Sequence, residues 1–325
     1  MYTVLVTGVG AIIGYGLARS LRSSRYPVHI IGMDIYHDAV GQHWCDAFEQ
    51  AVLANDPKYP EFIRSLIGKH EIDLVIPGIE QDVDRLTAEY QAGAFAHLPV
   101  KFALNNPELI VLANDKWLMH ERLTSLGFDT IATYINGDFD TLAARHGSPL
   151  LMKPRRSYAS KGIQLIRSET DFIYWRQKLG DNLMVQEFVG DDNSEYTVGA
   201  FGLGDGTCSQ QIIFRRKLSG EGATAKAQVC MIPELQTQVA RISEIFLPVG
   251  PTNFQFRYHR GHFLLLEINP RVSSSSSLRT AFGFNEPEMC IEYYLEQKRP
   301  EPRAIRCGSA VRYIEDCVSY DRNHR

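Results

Sequence analysis

The sequence has few cysteines, and none of them lies in a pattern that binds metal or builds a disulfide framework. Its 325 residues include six cysteines, which are scattered without a CxxC pair or a histidine at zinc-ligand spacing. Zinc sites and small disulfide-rich domains both depend on regular cysteine spacing. We therefore expect free thiols in a reducing compartment.

The sequence also lacks a basic excess and a long apolar run. The formal net charge is −4, which gives no global attraction to nucleic acid or to an anionic membrane. No apolar run approaches the roughly 20 residues of a membrane helix, and the N-terminus lacks the basic and apolar regions of a signal peptide. We expect a cytoplasmic protein with small-molecule partners and without nucleic-acid or membrane partners. Its length allows two or three domains.

A strand, a glycine turn and a helix open the chain, as in doubly wound α/β domains. The turn is TGVGAIIG, from Thr7 to Gly14, and the second strand ends in Asp34. With Asp34 on a ribose hydroxyl, this pattern would suit a dinucleotide site. Such a turn also needs small residues for packing alone, so both interpretations remain open.

The third apolar strand, residues 72–77, is followed by Glu80. Ligands of α/β domains bind at the carboxyl ends of the strands. Glu80 could therefore receive an amine or a cation, although an acid in the first turn of a helix also stabilises the helix alone.

Residues 149–166 place basic side chains between two apolar strands. Lys153 lies within the first strand, and the loop from Arg155 to Gly162 is basic and rich in hydroxyl groups. Such a loop can fold over phosphates, or it can be an exposed hairpin. An ammonium in an apolar strand needs an anionic partner or a route to water, so Lys153 is the stronger indication of an anion site.

Residues 252–283 carry the clearest chemistry. Two apolar strands end near Gln255, Glu267, Asn269 and Arg271. Oxygen donors suit a hard divalent cation, and a guanidinium matches phosphate oxygens. The serines that follow, Ser273–Ser277, could form a flexible linker or a polar turn around an anion.

The order of these features resembles the ATP-grasp superfamily, most closely a single grasp unit of the carbamoyl phosphate synthetase large subunit. The resemblance rests on PLLMKP with its small loop, QEFV, NFQF and above all EINPRVSSSSSL. It implies an α/β and α+β protein with a Rossmann-like (pre-ATP-grasp) domain at residues 1–106. A small ATP-grasp subdomain with a linker helix would follow at 107–185, and a large subdomain with a C-terminal tail at 186–325.

The resemblance also implies ATP and magnesium, with two ions expected and manganese as an alternative. The expected nucleotide contacts are Lys116, Lys153, Ser160, Lys161, Gly162, Glu187, Phe188, Val189, Glu195 and Lys217. The expected metal ligands are Gln255, Glu267 and Asn269, and the expected catalytic residues are Arg271, Lys153 and Glu267. Substrate contacts are expected from Glu80, Ser274 and Arg279.

The implied reaction is attack of a carboxylate on the γ-phosphate of ATP, followed by capture of the acyl phosphate by an amine. Ser274 stands where the synthetase motif has an arginine, so the acceptor is expected to differ, and Arg279 could replace that arginine. A homodimer is one expected assembly. The alternatives are an NAD-dependent nucleotide-sugar dehydrogenase or epimerase, indicated by the glycine turn with Asp34, and a non-catalytic ATP-binding regulatory protein.

Overall fold

The computed structural model describes residues 1–157, 162–191, 193–220 and 222–318. Within these ranges the strands form three sheets, one parallel and two antiparallel. None of the helices in these ranges has the length and apolar character needed to span a bilayer.

The first sheet is parallel and has the order β3-β2-β1-β4-β5. Its strands are β1 Tyr2–Thr7, β2 Val28–Asp34, β3 Ala47–Gln50, β4 Leu74–Ile76 and β5 Lys101–Phe102, and its helices are α1 Ile12–Arg22, α2 Tyr59–His70 and α3 Glu80–Gln91. Val4 and Val6 pack with Leu17 of α1, whereas Leu5 packs with Ile63 of α2 on the opposite face. Because helices cover both faces, β1 reads as a continuous apolar run.

The smaller antiparallel sheet has the order β6-β9-β7-β8. Two linking helices, α4 Pro107–Ala113 and α5 Lys116–Ser125, precede β6 Thr133–Tyr134, α6 Phe139–His146, β7 Leu150–Pro154, β8 Gln164–Ile166, α7 Glu169–Leu179 and β9 Leu183–Glu187. Strand β9 continues to Glu187, so the boundary expected after residue 185 falls inside a strand.

The larger antiparallel sheet has the order β14-β13-β10-β11-β12-β15. Its elements are β10 Glu195–Leu203, β11 Cys208–Leu218, β12 Thr224–Cys230, α8 Pro233–Phe246, β13 Val249–His259, β14 His262–Asn269, α9 Ser276–Ala281, α10 Glu286–Cys290 and β15 Ser309–Val311. On one face, Val198 and Phe254 pack with Val239 of α8. On the other face, Phe201 and Phe214 pack with the first domain. The face that carries Phe201 and Phe214 therefore forms the interface between this sheet and the N-terminal domain.

The five serines form an ordered turn rather than a linker. The Ser276 amide donates to the Ser273 carbonyl at 2.9 Å, and α9 begins within the run. Ser273, Ser275 and Ser276 are buried.

The contacts of the glycine turn indicate a packing role, and they do not support the dinucleotide interpretation. The Asp34 carboxylate accepts hydrogen bonds from the Gly10 amide at 2.7 Å and the Tyr36 amide at 3.0 Å, and the residue is buried. Asp34 thus stabilises the turn itself instead of offering its oxygens to a ribose.

The turn brings α1 so close to β1 that Gly14 has no room for a side chain. A Cβ atom at Gly14 would lie 2.0 Å from the Gly8 carbonyl oxygen, and backbone cannot move aside cheaply. We expect Gly14→Ala to lower the free energy of unfolding by about 3 kcal/mol. Thermal or denaturant unfolding of the purified protein measures this loss.

Gly68 provides the matched control. It lies within α2, and an added Cβ atom there would meet no heavy atom within 4 Å. We expect Gly68→Ala to be neutral or to stabilise by about 0.5 to 1 kcal/mol, because glycine costs helix stability relative to alanine. Equal stabilities for the two variants would contradict the packing role of the turn.

Candidate functional site

A cleft of about 470 Å³ opens where the three sheets meet. The first domain contributes residues 11–13, 78–80, 83 and 84, the small sheet contributes β7 and the end of β9, and the large sheet contributes its face between β11 and β14. Polar side chains from all three walls converge on this single space. Such a concave site between domains is typical of ligand binding.

The oxygen donors of the cleft are held together by strand register. Gln255 of β13 is paired with Glu267 of β14, and Asn253 is paired with Asn269. A register shift follows the Gln255–Glu267 pair, so that both Leu266 and Glu267 line the cleft. A β-bulge is known to redirect side chains in this way.

The donor set fits magnesium. Gln255, Glu267 and Asn269 supply one carboxylate and two amide oxygens, and no group of three or more histidines, cysteines and acids that could hold a metal occurs among the described residues. Magnesium is usually held by one or two carboxylates together with substrate phosphates. Glu267 has no hydrogen bond or ion pair within the described ranges, so its carboxylate is available.

Lys153 and Lys116 provide positive charge opposite these oxygens. Lys153 is 8% exposed, and its Nζ atom donates to Gln186 Oε1 at 3.0 Å. Lys116 Nζ donates to the Ser157 carbonyl oxygen at 2.8 Å. Both of these hydrogen-bond partners are neutral, so an incoming phosphate would meet an ammonium group without first breaking a hydrogen-bonded ion pair.

Burial lowers the pKa of Lys153 to about 8, although the nearby Glu267 carboxylate opposes this effect. Desolvation disfavours the charged ammonium, whereas an anion beside it favours that form. The protonation state of Lys153 is therefore sensitive to ligand binding near neutral pH.

The end of β9 forms the link between the two antiparallel sheets. Glu187, Phe188 and Val189 all line the cleft, and Phe188 is exposed. The Glu187 carboxylate lies 3.6 Å from His146 Nδ1 and 3.8 Å from His259 Nε2. These three residues are where the resemblance expects adenine, and the exposed Phe188 leaves that space accessible.

Glu195 is held by two arginines. Arg216 and Arg257 each donate to its carboxylate at 2.8 Å. Arg216 is 4% exposed, lines the cleft and also donates to Gln255 Oε1 at 2.7 Å. A nucleotide ribose or a metal ion would therefore have to share Glu195 and Gln255 with Arg216.

Arg216 occupies the position expected for Lys217. Lys217 is exposed and is not among the residues that line the cleft. Alternation along β11 places Arg216 on the same face as Phe214, which packs toward the first domain, and turns Lys217 away. The placement of Lys217 near the phosphates is therefore wrong, and the same alternation could have identified Arg216 from the sequence.

Arg271 bridges the large sheet and the first domain. It forms an ion pair with Glu80 and donates to Asn269 Oδ1 at 3.1 Å. Ser274 also lines the cleft. The structure thus brings Glu80, Arg271 and Ser274 into one cleft, and their roles stay predictions.

Arg279 lies beneath the cleft rather than in it. It is fully buried, and it donates to Glu286 at 2.9 Å, to Thr197 Oγ1 at 3.1 Å and to Asn253 Oδ1 at 2.5 Å. Because these partners occupy its guanidinium below the cleft surface, the expectation that Arg279 contacts substrate is wrong. Arg279 instead supports Asn253, which lines the cleft and was not predicted.

The small loop is described in part. Ser160 and Lys161 lie outside the described residues, so their expected contacts with phosphates stay predictions. Gly162 is exposed and has a φ of 80°, and the adjacent Ile163 lines the cleft.

Comparisons with known proteins show one family model and several solved structures that this chain resembles. A family model described as "ATP-grasp in the biosynthetic pathway with Ter operon" matches residues 180–317. N5-carboxyaminoimidazole synthetase from Staphylococcus aureus complexed with ADP superposes with a TM-score of 0.72 at 16% identity, over 94% of this chain and 80% of that chain. The biotin carboxylase domain of Hydrogenobacter thermophilus 2-oxoglutarate carboxylase, in complex with MgADP, ADP and bicarbonate, gives 0.72 at 15% identity, over 94% and 73%.

The three sheets and the cleft between them have the fold of these solved structures. The chain's sequence is similar to the carbamoyl phosphate synthase large chain of Beutenbergia cavernae, with 24% identity over 259 residues, covering 70% of this chain and 23% of that protein. The chain thus spans about a quarter of that relative. The predicted fold class is confirmed, and the family-model match at residues 180–317 supports the predicted superfamily.

The depressed pKa of Lys153 predicts proton uptake when a nucleotide binds. At pH 8 about half of the free protein carries a neutral Lys153, and bound phosphates would raise the pKa and restore the proton. We expect about half a proton to be taken up per nucleotide at pH 8, and more at pH 9. Affinity should fall as the pH rises through 8.

Calorimetry in buffers with different ionisation enthalpies measures this uptake. Lys153→Met should abolish it, whereas Lys101→Met, at an exposed position on β5, should leave it unchanged. Undiminished uptake in the Lys153 variant would assign the proton to another group.

Proposed function

We propose that the chain is an ATP-dependent, ADP-forming ligase that joins a small-molecule carboxylate to an amine through an acyl phosphate. The observation that carries this proposal is the meeting of Glu267, Lys153 and Arg271 in one cleft. Phosphoryl transfer needs positioned cations and metal ligands more than a side-chain nucleophile. The similarity to the large-chain synthase and to ATP-grasp structures supports the same chemistry.

Each group in the cleft has a role in this proposal. Lys116 and Lys153 hold the phosphates, and the end of β9 receives adenine at Glu187–Val189. Gln255, Glu267 and Asn269 hold magnesium, and Arg271 stabilises the transferred phosphoryl group. We propose two magnesium ions, with manganese able to substitute. When bound, magnesium would neutralise negative charge on the phosphate oxygens.

Arg216 has a further role, since it restrains Glu195 and Gln255 before ligand arrives. Its guanidinium donates to both side chains from below. We propose that Glu195 still receives the ribose hydroxyls, through the oxygen capacity that a carboxylate retains after accepting two hydrogen bonds. Arg216 and Arg257 would then hold the Glu195 side chain in a fixed orientation.

The domain limits and the assembly are part of the proposal. We propose that residues 1–106 form a pre-ATP-grasp domain, that the small subdomain begins at residue 107 and includes all of β9 to Glu187, and that the large subdomain follows β9. A homodimer in the cytoplasm remains the expected state. Ser274, in place of the arginine of the synthetase motif, favours an acid other than bicarbonate.

Substitution of Glu267 tests the ligase directly. We expect Glu267→Gln to reduce ADP release, in the presence of Mg-ATP and a panel of acids and amines, by about 100-fold or more, because the sole carboxylate of the donor set is lost. Glu234→Gln, at an exposed position on α8, is the matched control and should retain full activity.

Two results would contradict the proposal. Unchanged ligation by the Glu267 variant would remove the metal assignment. If the unmodified protein binds Mg-ATP and releases no ADP with any acid and amine, a non-catalytic nucleotide-binding role would replace the ligase.

A further inference from the structure

An ion pair joins the two walls of the cleft at the end away from β9. Arg271 follows β14 on the large sheet, and Glu80 lies in the first turn of α3, 191 positions earlier in the chain. Their side chains are 15% and 27% exposed, and both line the cleft. The pair is therefore within reach of a ligand that enters between the walls.

This pair is suited to exchange with a ligand. A partly exposed ion pair contributes little to stability, so opening it costs little free energy. A molecule with a carboxylate and an ammonium group can replace both partners at once, and no charge is then left unpaired. A carboxylate alone would occupy Arg271 and leave Glu80 without its cation, which is unfavourable in a partly desolvated site.

The surroundings of Glu80 favour an ammonium group. Asp84 is four residues later on the same face of α3, lines the cleft and accepts a hydrogen bond from Asn114 at 2.8 Å. On the opposite wall, Ser274 next to Arg271 is neutral. The first-domain wall is thus acidic. The Ser273–Ser277 run, which follows Arg271 on the opposite wall, contains no second cation.

The lining beside Glu80 is otherwise apolar. Ile12, Ile13, Ile79 and Val83 all line the cleft. Val83 is one helical turn from Glu80 and on the same face. Ile79 is held against the glycine turn, where a Cβ atom on Gly8 would lie 2.7 Å from Ile79 Cγ2. An apolar side chain could pack on this surface.

We infer that the acid substrate is an α-amino acid with an apolar side chain. Its carboxylate binds Arg271, its ammonium group binds Glu80, and its side chain packs against Ile13 and Val83. The inference rests on the proposed ligase function and specifies which acid that ligase activates. Arg271 and Glu80 rotate apart as the amino acid enters between them.

The proposed reaction has two steps, phosphorylation of the carboxylate and capture of the acyl group. A carboxylate oxygen of the amino acid attacks the γ-phosphorus of ATP, and the bond from that phosphorus to the β-phosphate oxygen breaks, which releases ADP. The ammonium group on Glu80 stays protonated and is not the nucleophile. An amine of a second molecule attacks the acyl carbon, inorganic phosphate leaves, and that amine loses one proton.

Hydroxylamine can replace the unidentified amine in the test. It captures an acyl phosphate as a hydroxamate, which is measured together with ADP. The probes are L-leucine with its des-amino counterpart 4-methylpentanoate, and L-phenylalanine with 3-phenylpropanoate. We expect kcat/KM to be at least about 100-fold higher for the amino acid of a pair, because a site built for a polar group rejects the analogue that lacks it.

The Glu80→Gln variant separates recognition from chemistry. We expect the KM for the amino acid to rise while kcat changes little, and the preference over the des-amino acid to fall at least about tenfold. Glu61→Gln removes an equivalent exposed acid on α2 and should keep the preference of the unmodified protein.

The outcomes distinguish the inference from the function on which it rests. Equal rates for both acids of each pair would overturn the ammonium subsite and leave the ligase intact, as would an unaltered preference in Glu80→Gln. If L-glutamate is as good a substrate as L-leucine, the inference of an apolar subsite is overturned. No hydroxamate from any acid, with Mg-ATP bound, would overturn the ligase itself.

Discussion

The pairing of β13 with β14 is the constraint on which the site depends. Gln255 faces Glu267 and Asn253 faces Asn269, and the register shift beside Gln255 adds Leu266 to the cleft surface. A slip of one residue would move every one of these oxygens to the face that packs on α8. The buried apolar residues of both strands, including Phe254 and Ile268, prevent such a slip, because it would expose them to the cleft.

The cleft is organised so that its cations are only partly neutralised. Glu195 pairs with both Arg216 and Arg257 and balances one of their two charges, whereas Lys153 and Lys116 make their hydrogen bonds to an amide and a carbonyl oxygen. Ligand phosphates would complete this charge balance. In the proposed metal donor set one carboxylate, Glu267, would then be sufficient, since phosphates would supply the remaining negative charge.

Local patterns predicted much of the fold and several of the polar residues that line the cleft, among them Lys153, Glu267 and Arg271. The strand ending in Asn269, the lysine in an apolar strand and the turn after β14 were each evident from a few neighbouring residues. The alternation of side chains along β11 also places Arg216 on the cleft face. In the sequence this position is difficult to distinguish from its basic neighbours, Arg215 and Lys217. Asp34 and Arg279 could not be assigned from the sequence, because their partners, Gly10 in the turn and Asn253 on β13, are set by tertiary packing.

The buried guanidinium of Arg279 occupies space that Gly199 leaves empty. A Cβ atom at Gly199 would lie 2.6 Å from Arg279 Cζ, so β10 accepts only glycine while arginine is present. Glu286 balances the charge at 2.9 Å. These positions are consequently expected to show epistasis: a change at Gly199, harmful alone, would be tolerated once the arginine and its acid have been replaced by smaller apolar residues. Evolutionary drift across this part of the protein would therefore proceed by correlated replacement of all three residues.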